Sequence, residues 1–182
     1  MENTREFIIE SRRHGKFIVL IDAEDWGRIS QYTWRVCKKN KFYIRTNVPH
    51  PEGDRRAGLS RYGHPRGFRE YTIEIQRMIM NTPKGMSTDH INGDTLDNRK
   101  SNLRICTSAE NNRNRGKSSN NKSGYVGVSQ APSGKFIATI SHRRKKYHIG
   151  TFDTKKKAAM ARDKKAKELF GEFAYLNFPE KA

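Results

Sequence analysis

The sequence predicts a mixed α+β fold made of small units, with a β-rich N-terminal segment and a C-terminal three-stranded antiparallel sheet packed on one helix. Short runs near both ends alternate apolar and polar residues, and one long helical pattern stands near the C-terminus. Hydrophobic residues make up only 34% of the 182 residues, and the mean hydropathy of −0.96 argues against one large core. The predicted regions are an N-terminal segment at 1–69, a central motif at 70–115, a linker at 116–123 and a C-terminal module at 124–182.

The N-terminal segment is predicted to contain two hairpins joined by a short helix. Residues 6–22 alternate in polarity around His14-Gly15, which is typical of a β-hairpin. Residues 23–32 begin with acidic residues, which favours a short helix. The second hairpin is expected to turn at 39–41, and its core face to comprise Trp34, Val36, Phe42 and Ile44.

Two different patterns follow the hairpins. Residues 50–69 are rich in Gly, Pro and Arg, and we predict a mobile basic loop there, with His50 and His64 as solvated loop histidines. Residues 71–81 are strongly apolar and fit a strand or a short helix. A turn is expected at Pro83-Lys84-Gly85.

The C-terminal module is predicted to be three strands followed by a helix. The strand candidates are GYVGVSQ, KFIATISH and KKYHIGTF, joined by a Pro-Gly turn and by a basic turn. Asp153 or Thr154 is expected to cap the helix, and Gly171 to end it. Residues 117–182 hold 15 basic and five acidic residues, so this half of the chain is strongly basic.

The net charge of +18 indicates a polyanionic partner, and nucleic acid is the first candidate. An anionic membrane surface and a ribosomal-type basic protein are the alternatives that charge alone leaves open. We expect neither a membrane-spanning nor a secreted protein, because no apolar run is long enough to span a bilayer and the N-terminus lacks the apolar core of a signal peptide. The two cysteines, Cys37 and Cys106, are expected to be free thiols in a cytoplasmic protein.

Four polar residues form the candidate site for chemistry: Asp89, His90, Asn102 and Asn111. Carboxylate and amide oxygens from Asp89 and Asn111 suit Mg²⁺, if the chain brings them together. His90 would point to the other side of its strand, where it would be available to take a proton from water. Asn and Asp are also common in ordinary turns, so spacing alone leaves a purely structural interpretation more probable.

The run DHINGDTLDNRKSNLRICTSAENNRN resembles the HNH endonuclease motif of phage and intron-encoded homing endonucleases. The resemblance implies a ββα-metal fold with His90 as general base and Asn102 as the residue that holds the central loop. It also implies that Asp89 and Asn111 hold one divalent ion, Mg²⁺ or another such as Mn²⁺. Gln76 stands where the family usually has histidine.

The C-terminal module resembles the plant ethylene-response-factor DNA-binding domain, in SGYVGVSQ, SGKFIATI, HIGTFDT and AYLNFP. Such domains lay a three-stranded sheet into the major groove of DNA. The plant proteins read bases with arginines and tryptophans on that sheet. This chain has Val126, Ser129, Ala131, Ser133 and His148 at the corresponding places, so the plant sequence specificity does not carry over. The expected DNA-binding residues are Lys135, Phe136, Ser141, Arg143, Lys145, Lys146 and His148. For Phe136, a core role is an equally good interpretation.

Together these observations predict a phage-type HNH endonuclease, of the homing or a similar type, that cuts double-stranded DNA in a bacterial host cell. The candidate phosphate contacts are Arg77, Arg99 and Arg104, which the sequence does not rank. No membrane association and no obligate protein partner are expected. A non-catalytic DNA-binding protein on a nuclease scaffold is the main alternative, and an RNA-binding protein is a weaker one.

Overall fold

The computed structural model describes residues 3–49, 70–114, 116–118 and 120–179. The chain divides into two compact units, Met1–Ile105 and Cys106–Ala182. The described residues form four small sheets with short helices and one longer helix, so the predicted α+β class is confirmed. The predicted basic loop at 50–69, with His50 and His64, lies outside the described residues. Within the described part of the chain, no helix is long and apolar enough to span a membrane.

The first unit begins with the predicted hairpin, in which β1 (Thr4–Ser11) pairs with β2 (Gly15–Asp22). Gly15 has φ of +82°, a left-handed conformation that glycine adopts without strain at the end of the turn. One face of the hairpin is buried because its apolar residues recur with the strand period of two. That face contributes Ile9, Val19 and Ile21 to the core of the unit.

A three-stranded antiparallel sheet completes the scaffold of this unit. The short helix α1 (Trp26–Ile29) leads to β3 (Arg35–Lys38) and β4 (Phe42–Pro49), which form the second predicted hairpin. Strand β5 (Glu70–Glu74) pairs with β4, so the expected boundary at 69/70 falls within one sheet. The run at 71–81 therefore supplies both a strand end and the helix α2 (Ile75–Ile79).

The central motif has the strand–strand–helix order that the sequence predicted. Strand β6 (Ser87–His90) and strand β7 (Leu103–Cys106) form a two-stranded sheet. Helix α3 (Ser108–Arg113) follows, and a capping box begins it: the Thr107 side chain accepts from the Glu110 backbone N–H, and the Glu110 side chain accepts in return. The division into units falls inside β7, so α3 belongs to the second unit.

The second unit is the predicted three-stranded sheet packed on one helix. Strands β8 (Val128–Gln130), β9 (Phe136–His142) and β10 (Lys145–Phe152) lie in the order β10-β9-β8, and α4 (Lys155–Phe170) packs against all three. Thr154, not Asp153, caps α4 by accepting from the Lys157 backbone N–H. The helix approaches closely because its inner face carries alanines, of which three are fully buried: Ala158, Ala159 and Ala166.

Gly127 marks the tightest contact in this unit. A Cβ atom at this position would lie 2.5 Å from the Thr139 carbonyl oxygen and 3.0 Å from Cγ of Arg162. Since Gly127 also has φ of +74°, both the backbone conformation and the space require glycine.

Candidate active site and nucleic-acid interface

Asp89 and His90 stand at the end of β6, and both are buried, with exposures of 7% and 5%. The Asp89 carboxylate is paired with Arg104 of β7, whose Nε and Nη2 lie 3.1 and 2.7 Å from Oδ2. Adjacent strand residues project to opposite faces, so the charged pair and the imidazole lie on different sides of the strand. Arg104, expected as a phosphate contact, therefore neutralises the predicted metal ligand.

The tautomer of His90 follows from its contact with Asn98. His90 Nε2 lies 3.1 Å from Asn98 Oδ1, while Asn98 Nδ2 donates to the carbonyl oxygens of Thr95 and Leu96, at 3.4 and 3.2 Å. These two carbonyls accept only from the amide nitrogen, so they fix which way the Asn98 side chain faces. In the neutral imidazole, Nε2 must then carry the proton, and Nδ1 is the basic nitrogen.

Asn98 is fully buried, and backbone bonds from the N-terminal hairpin hold it in place. The Asn98 N–H donates to the Leu20 carbonyl at 2.8 Å, and the Leu20 N–H donates to the Leu96 carbonyl at 2.9 Å. The free edge of β2 thus pairs with the segment that orients the histidine. The hairpin is a structural part of the site and not a separate appendage.

Asn102 joins the two ends of the loop at 91–98. Its Oδ1 accepts from the Asn92 N–H at 3.0 Å, and its Nδ2 donates to the Asp97 carbonyl at 2.8 Å. Because both bonds reach loop backbone, Asn102 fixes the geometry of the loop that follows His90.

Burial is the main influence on the protonation of His90, and it lowers the pKa of the imidazole below the ordinary value. The bond to Asn98 and the charge of Asp89 act in the opposite direction. Lys41, at the β3–β4 turn, adds a further lowering effect and donates to the Gly93 carbonyl of the site loop. The histidine is therefore held neutral near physiological pH.

The other two candidate phosphate contacts are also engaged within the first unit. Arg77 donates to the carbonyl oxygens of Met86, Thr82 and Pro83, and so ties down the turn before β6. Arg99 binds both oxygens of Asp97 at 2.8 Å, and this contact holds the pKa of the Asp97 carboxyl below its usual value.

Gln76 is buried on α2, with 3% exposure. Its Nε2 donates to Glu74 at 2.9 Å, and within the described residues its Oε1 has no hydrogen-bond partner. The histidine that the family usually has at this position carries no amide oxygen. Glutamine in its place therefore adds a buried hydrogen-bond acceptor.

The donor set for a metal is small. Among the described residues, no group of three or more His, Cys, Asp or Glu side chains could hold an ion. Asp89 is the carboxylate that the motif offers as a ligand. Asn111 lies half-buried in α3, in the second unit. A carboxylate such as that of Asp89 suits a hard divalent ion that keeps water and phosphate oxygens among its other ligands.

The open face of the C-terminal sheet carries small polar side chains and a basic tip. Register pairs Ser141 with Lys146 and Thr139 with His148, on the face opposite the buried Ala138 and Ile140. Four of the expected DNA-binding residues are exposed on this face or its turn: Ser141, Arg143, Lys146 and His148. Lys145 is exposed on the edge strand β10, where it pairs with His142 on the side of the sheet that faces the helix. Lys135 is exposed just before β9.

Phe136 does not belong to the open face. It packs against the cluster of Val128, Ala138, Ala158 and Ala159, because it shares the helix-facing side of β9 with Ala138. This packing favours the core role that the sequence left open for Phe136.

The turn between β9 and β10 is formed by Arg143 and Arg144, which have φ of +49° and +64°. Two consecutive left-handed residues make the turn type that normally favours Asn-Gly, because non-glycine side chains are strained there. Two arginines in this place put both guanidinium groups at the exposed end of the sheet.

Comparisons with known proteins agree with this geometry. The HNH endonuclease family matches residues 81–113, the range that contains Asp89, His90, Asn98, Asn102 and Asn111. A protein described as an uncharacterised HNH endonuclease of Acanthamoeba polyphaga mimivirus is 29% identical over 171 residues, covering 94% of this chain and 80% of the relative. The chain carries an HNH endonuclease domain. It is, accordingly, a nuclease.

Plant transcription factors match a shorter part of the chain. A dehydration-responsive element-binding protein of Arabidopsis thaliana is 45% identical over 58 residues, covering 31% of this chain and 28% of the relative. An ethylene-responsive transcription factor of Medicago truncatula is 34% identical over 85 residues, covering 46% and 32%. The chain thus spans about a third or less of these plant proteins. No solved structure matches significantly.

Sequence reasoning missed Asn98 and Lys41. The segment LDNR at 96–99 has the composition of an ordinary turn, and nothing in its spacing distinguishes an asparagine that faces His90 from one that faces water. Lys41 was assigned only to a hairpin turn. Its proximity to the site depends on pairing across more than 50 residues, which no local pattern predicts.

Proposed function

We propose that the protein is a metal-dependent endonuclease, of the homing or a similar type, that hydrolyses phosphodiester bonds in duplex DNA. The observation that carries the proposal is the buried His90, held by Asn98 with Nδ1 as its basic nitrogen, beside the Asp89–Arg104 pair. The match of residues 81–113 to the HNH family supports the same assignment.

His90 is the proposed general base. Its imidazole is neutral because burial lowers the pKa, so it can accept a proton from the attacking water at Nδ1 near neutral pH. The Nε2 proton stays on the ring and is donated to Asn98 Oδ1. This hydrogen bond stabilises the positive charge when the ring becomes doubly protonated. Asn102 keeps the loop in the required shape through two backbone contacts.

Asp89 and Asn111 are the proposed ligands of one divalent ion, most simply Mg²⁺, or alternatively Mn²⁺. When bound, such an ion polarises the scissile phosphate and stabilises the negative charge on the leaving oxygen. Arg104 offsets the negative charge of Asp89. In the proposed complex, its guanidinium also binds an oxygen of the phosphate. The place of Asn111 in this set rests on its position in the motif.

DNA binding is assigned chiefly to the open face of the C-terminal sheet. Short side chains such as Ser141 and Thr139 allow the sheet to approach a groove, while Arg143 and Lys146 reach the phosphates. The similarity to plant DNA-binding proteins supports this division.

The decisive experiment incubates the purified chain with plasmid DNA, with Mg²⁺, with Mn²⁺ and with EDTA. We expect metal-dependent nicks or breaks, and mapping of the ends on DNA that flanks the gene tests the homing type. Binding without cleavage under every metal condition would favour the non-catalytic alternative, and cleavage of RNA alone would exclude a DNA nuclease.

A matched pair of variants tests the metal ligands. Asp89→Asn keeps an acceptor for Arg104 but removes the charge, and we expect it to raise the Mg²⁺ concentration for half-maximal cleavage more than Asn111→Ala does, because a carboxylate binds a divalent ion more strongly than an amide. Asp163→Asn removes a buried carboxylate of the second unit and should leave the Mg²⁺ requirement unchanged. Full activity of Asp89→Asn in EDTA would exclude the metal assignment.

A further inference from the structure

A second strongly basic surface lies in the first unit, on the open face of the β3–β4–β5 sheet. An open cleft of about 740 Å³ has this face as its floor and the β1–β2 turn as one wall. Its basic lining residues are Arg13, His14, Arg35, Lys38, Lys39 and Arg45. We refer to these residues as the N-terminal cleft.

The charge in the N-terminal cleft is far from balanced. Arg45 and Lys39 share one carboxylate, Glu74, at 2.6 and 3.3 Å. Arg13 and Arg35 are exposed and form no ion pair with any described residue, and the same holds for Lys38. Among the described residues, five permanent positive charges line the cleft, whereas the carboxylates on the same sheet face are those of Glu74 and of Glu70, which is bound to Asn47. This excess of positive charge attracts anions.

The register of the sheet adds to this imbalance. Arg35 of β3 stands directly opposite Arg45 of β4, and like charges at directly opposed positions destabilise a sheet. Glu74 lies opposite Arg45 on its other side and offsets only one of the two arginines. A bound anion would offset the charge of Arg35.

A second cleft, which borders the site loop, adjoins the N-terminal cleft at Lys38. Lys38 lines the N-terminal cleft and also this smaller one, of about 340 Å³, formed with Lys41 and the site loop at 93–96. The loop is fixed there, because Lys41 and the Phe42 carbonyl both bond to it. A polyanion that spans both clefts would therefore reach the loop that follows His90.

We propose that the N-terminal cleft is a second DNA-binding surface, which holds the phosphate backbone of the duplex beside the scissile phosphate. The inference rests on the proposed nuclease function. In this proposal, the first unit binds the DNA itself, through the exposed side chains of Arg13, Arg35 and Lys38. The C-terminal sheet then provides the groove contacts and not all of the affinity.

The first test measures binding alone, in full-length protein carrying His90→Ala and without added metal. Arg13→Ala, Arg35→Ala and Lys38→Ala, singly and together, should weaken duplex binding and reduce the log–log salt slope by about 0.9 for each lost phosphate contact. Lys16→Ala is the matched control, because Lys16 is exposed in the same unit but paired with Glu10 and outside the cleft.

The second test locates the DNA directly. Cys37 lines the floor of the N-terminal cleft and is partly exposed, whereas Cys106 is buried, so a maleimide should modify Cys37 first. Bound duplex should slow this modification in the His90→Ala protein, and the triple variant should lose the protection while its circular dichroism spectrum is unchanged.

Three outcomes overturn the inference: unchanged affinity and salt slope in the triple variant, no protection of Cys37 by saturating duplex, or protection by RNA in preference to DNA. The single exposed-residue variants keep the test valid if the triple variant fails to fold. Failure of the nuclease proposal is distinct from these, since it appears as absence of cleavage by the unmodified protein while binding and protection persist.

Discussion

The two units of the chain use polar residues in opposite ways. In the first unit, Asp89, His90, Asn98 and Asn102 are all less than 9% exposed, and their side chains are occupied by defined partners. In the second unit, Ser141, Lys146 and His148 stand exposed on an open sheet face. Buried amides fix one geometry, as proton transfer requires, whereas exposed polar groups can adapt to a partner. The comparison predicts that substitutions of the buried site residues in the first unit change the cleavage rate, whereas those on the open sheet face of the second unit change affinity.

The largest expected effect is in the first unit. His90→Ala should reduce the cleavage rate by about 10²–10⁴-fold, because a general base contributes that much in rate. Duplex affinity should remain near that of the unmodified protein. Single-turnover cleavage and gel-shift titration measure the two quantities, and cleavage at the original rate would exclude His90 as the base.

A somewhat smaller effect is expected at Asn98, whose Oδ1 holds Nε2 of the proposed base. Asn98→Ala should slow cleavage by about 10²-fold, since a displaced catalytic group loses rate steeply. Asn98→Asp keeps an acceptor for Nε2 and should restore part of the rate. The imidazole ¹⁵N shifts of His90 report the tautomer independently of cleavage, and they should show the Nε2-protonated form in the unmodified protein.

Asn177 offers a matched control in the second unit, because its amide also bonds on both sides, to the Val126 backbone and to Asp163. Asn177→Ala should lower thermal stability and leave the His90 ¹⁵N shifts unchanged. Loss of the tautomer signal in this variant would contradict the local role of Asn98.

The next effect belongs to the second unit. Arg143→Ala combined with Lys146→Ala should weaken duplex binding and reduce the log–log salt slope by about 0.9 per lost contact, with the cleavage rate at saturating protein unchanged. Lys164→Ala together with Lys167→Ala, on α4, is a control with the same change in charge. If the two pairs behave alike, the open sheet face has no special role.

The smallest effect is a shift in pH dependence. Because burial lowers the pKa of His90 below 6.5, the cleavage rate should rise with pH and reach half its maximum below pH 6.5. The unfolded chain binds a proton at this histidine more readily than the folded chain, so stability should fall as pH decreases below 6.5. Thermal melts between pH 7 and 5 should show a smaller loss for His90→Ala than for the unmodified protein.

The sequence predicted elements whose pattern is local. The hairpin around Gly15, the second hairpin before residue 50 and the helix capped at Thr154 were all evident from periodicity and turn residues. The α+β class and the sheet-on-helix module follow from these. Phe136 was ambiguous because strict alternation gives two faces and does not say which one the helix covers.

The site was predicted only in part, because its essential contacts are long-range. Asp89 and His90 were identified from the motif, but the partner of each depends on tertiary pairing, with Arg104 across the sheet and Asn98 across a loop. Three arginines seemed equivalent as phosphate contacts, yet each is bound to a different group. A sequence lists the donors and acceptors but does not say which of them are already paired.

The pairing of β2 with the segment at 96–98 links motion in one part of the first unit to motion in another. The Asn98 N–H donates to the Leu20 carbonyl and the Leu20 N–H donates to the Leu96 carbonyl, so neither amide can open to solvent unless the strand and the loop separate. The amides of Leu20 and Asn98 should therefore exchange at similar rates, as members of one cooperative unit. Both rates should be slower than those of an ordinary surface loop. The same pairing closes an edge of the hairpin that would otherwise be available for association with another chain. The loop beside the proposed active site thereby also covers part of the free edge of β2.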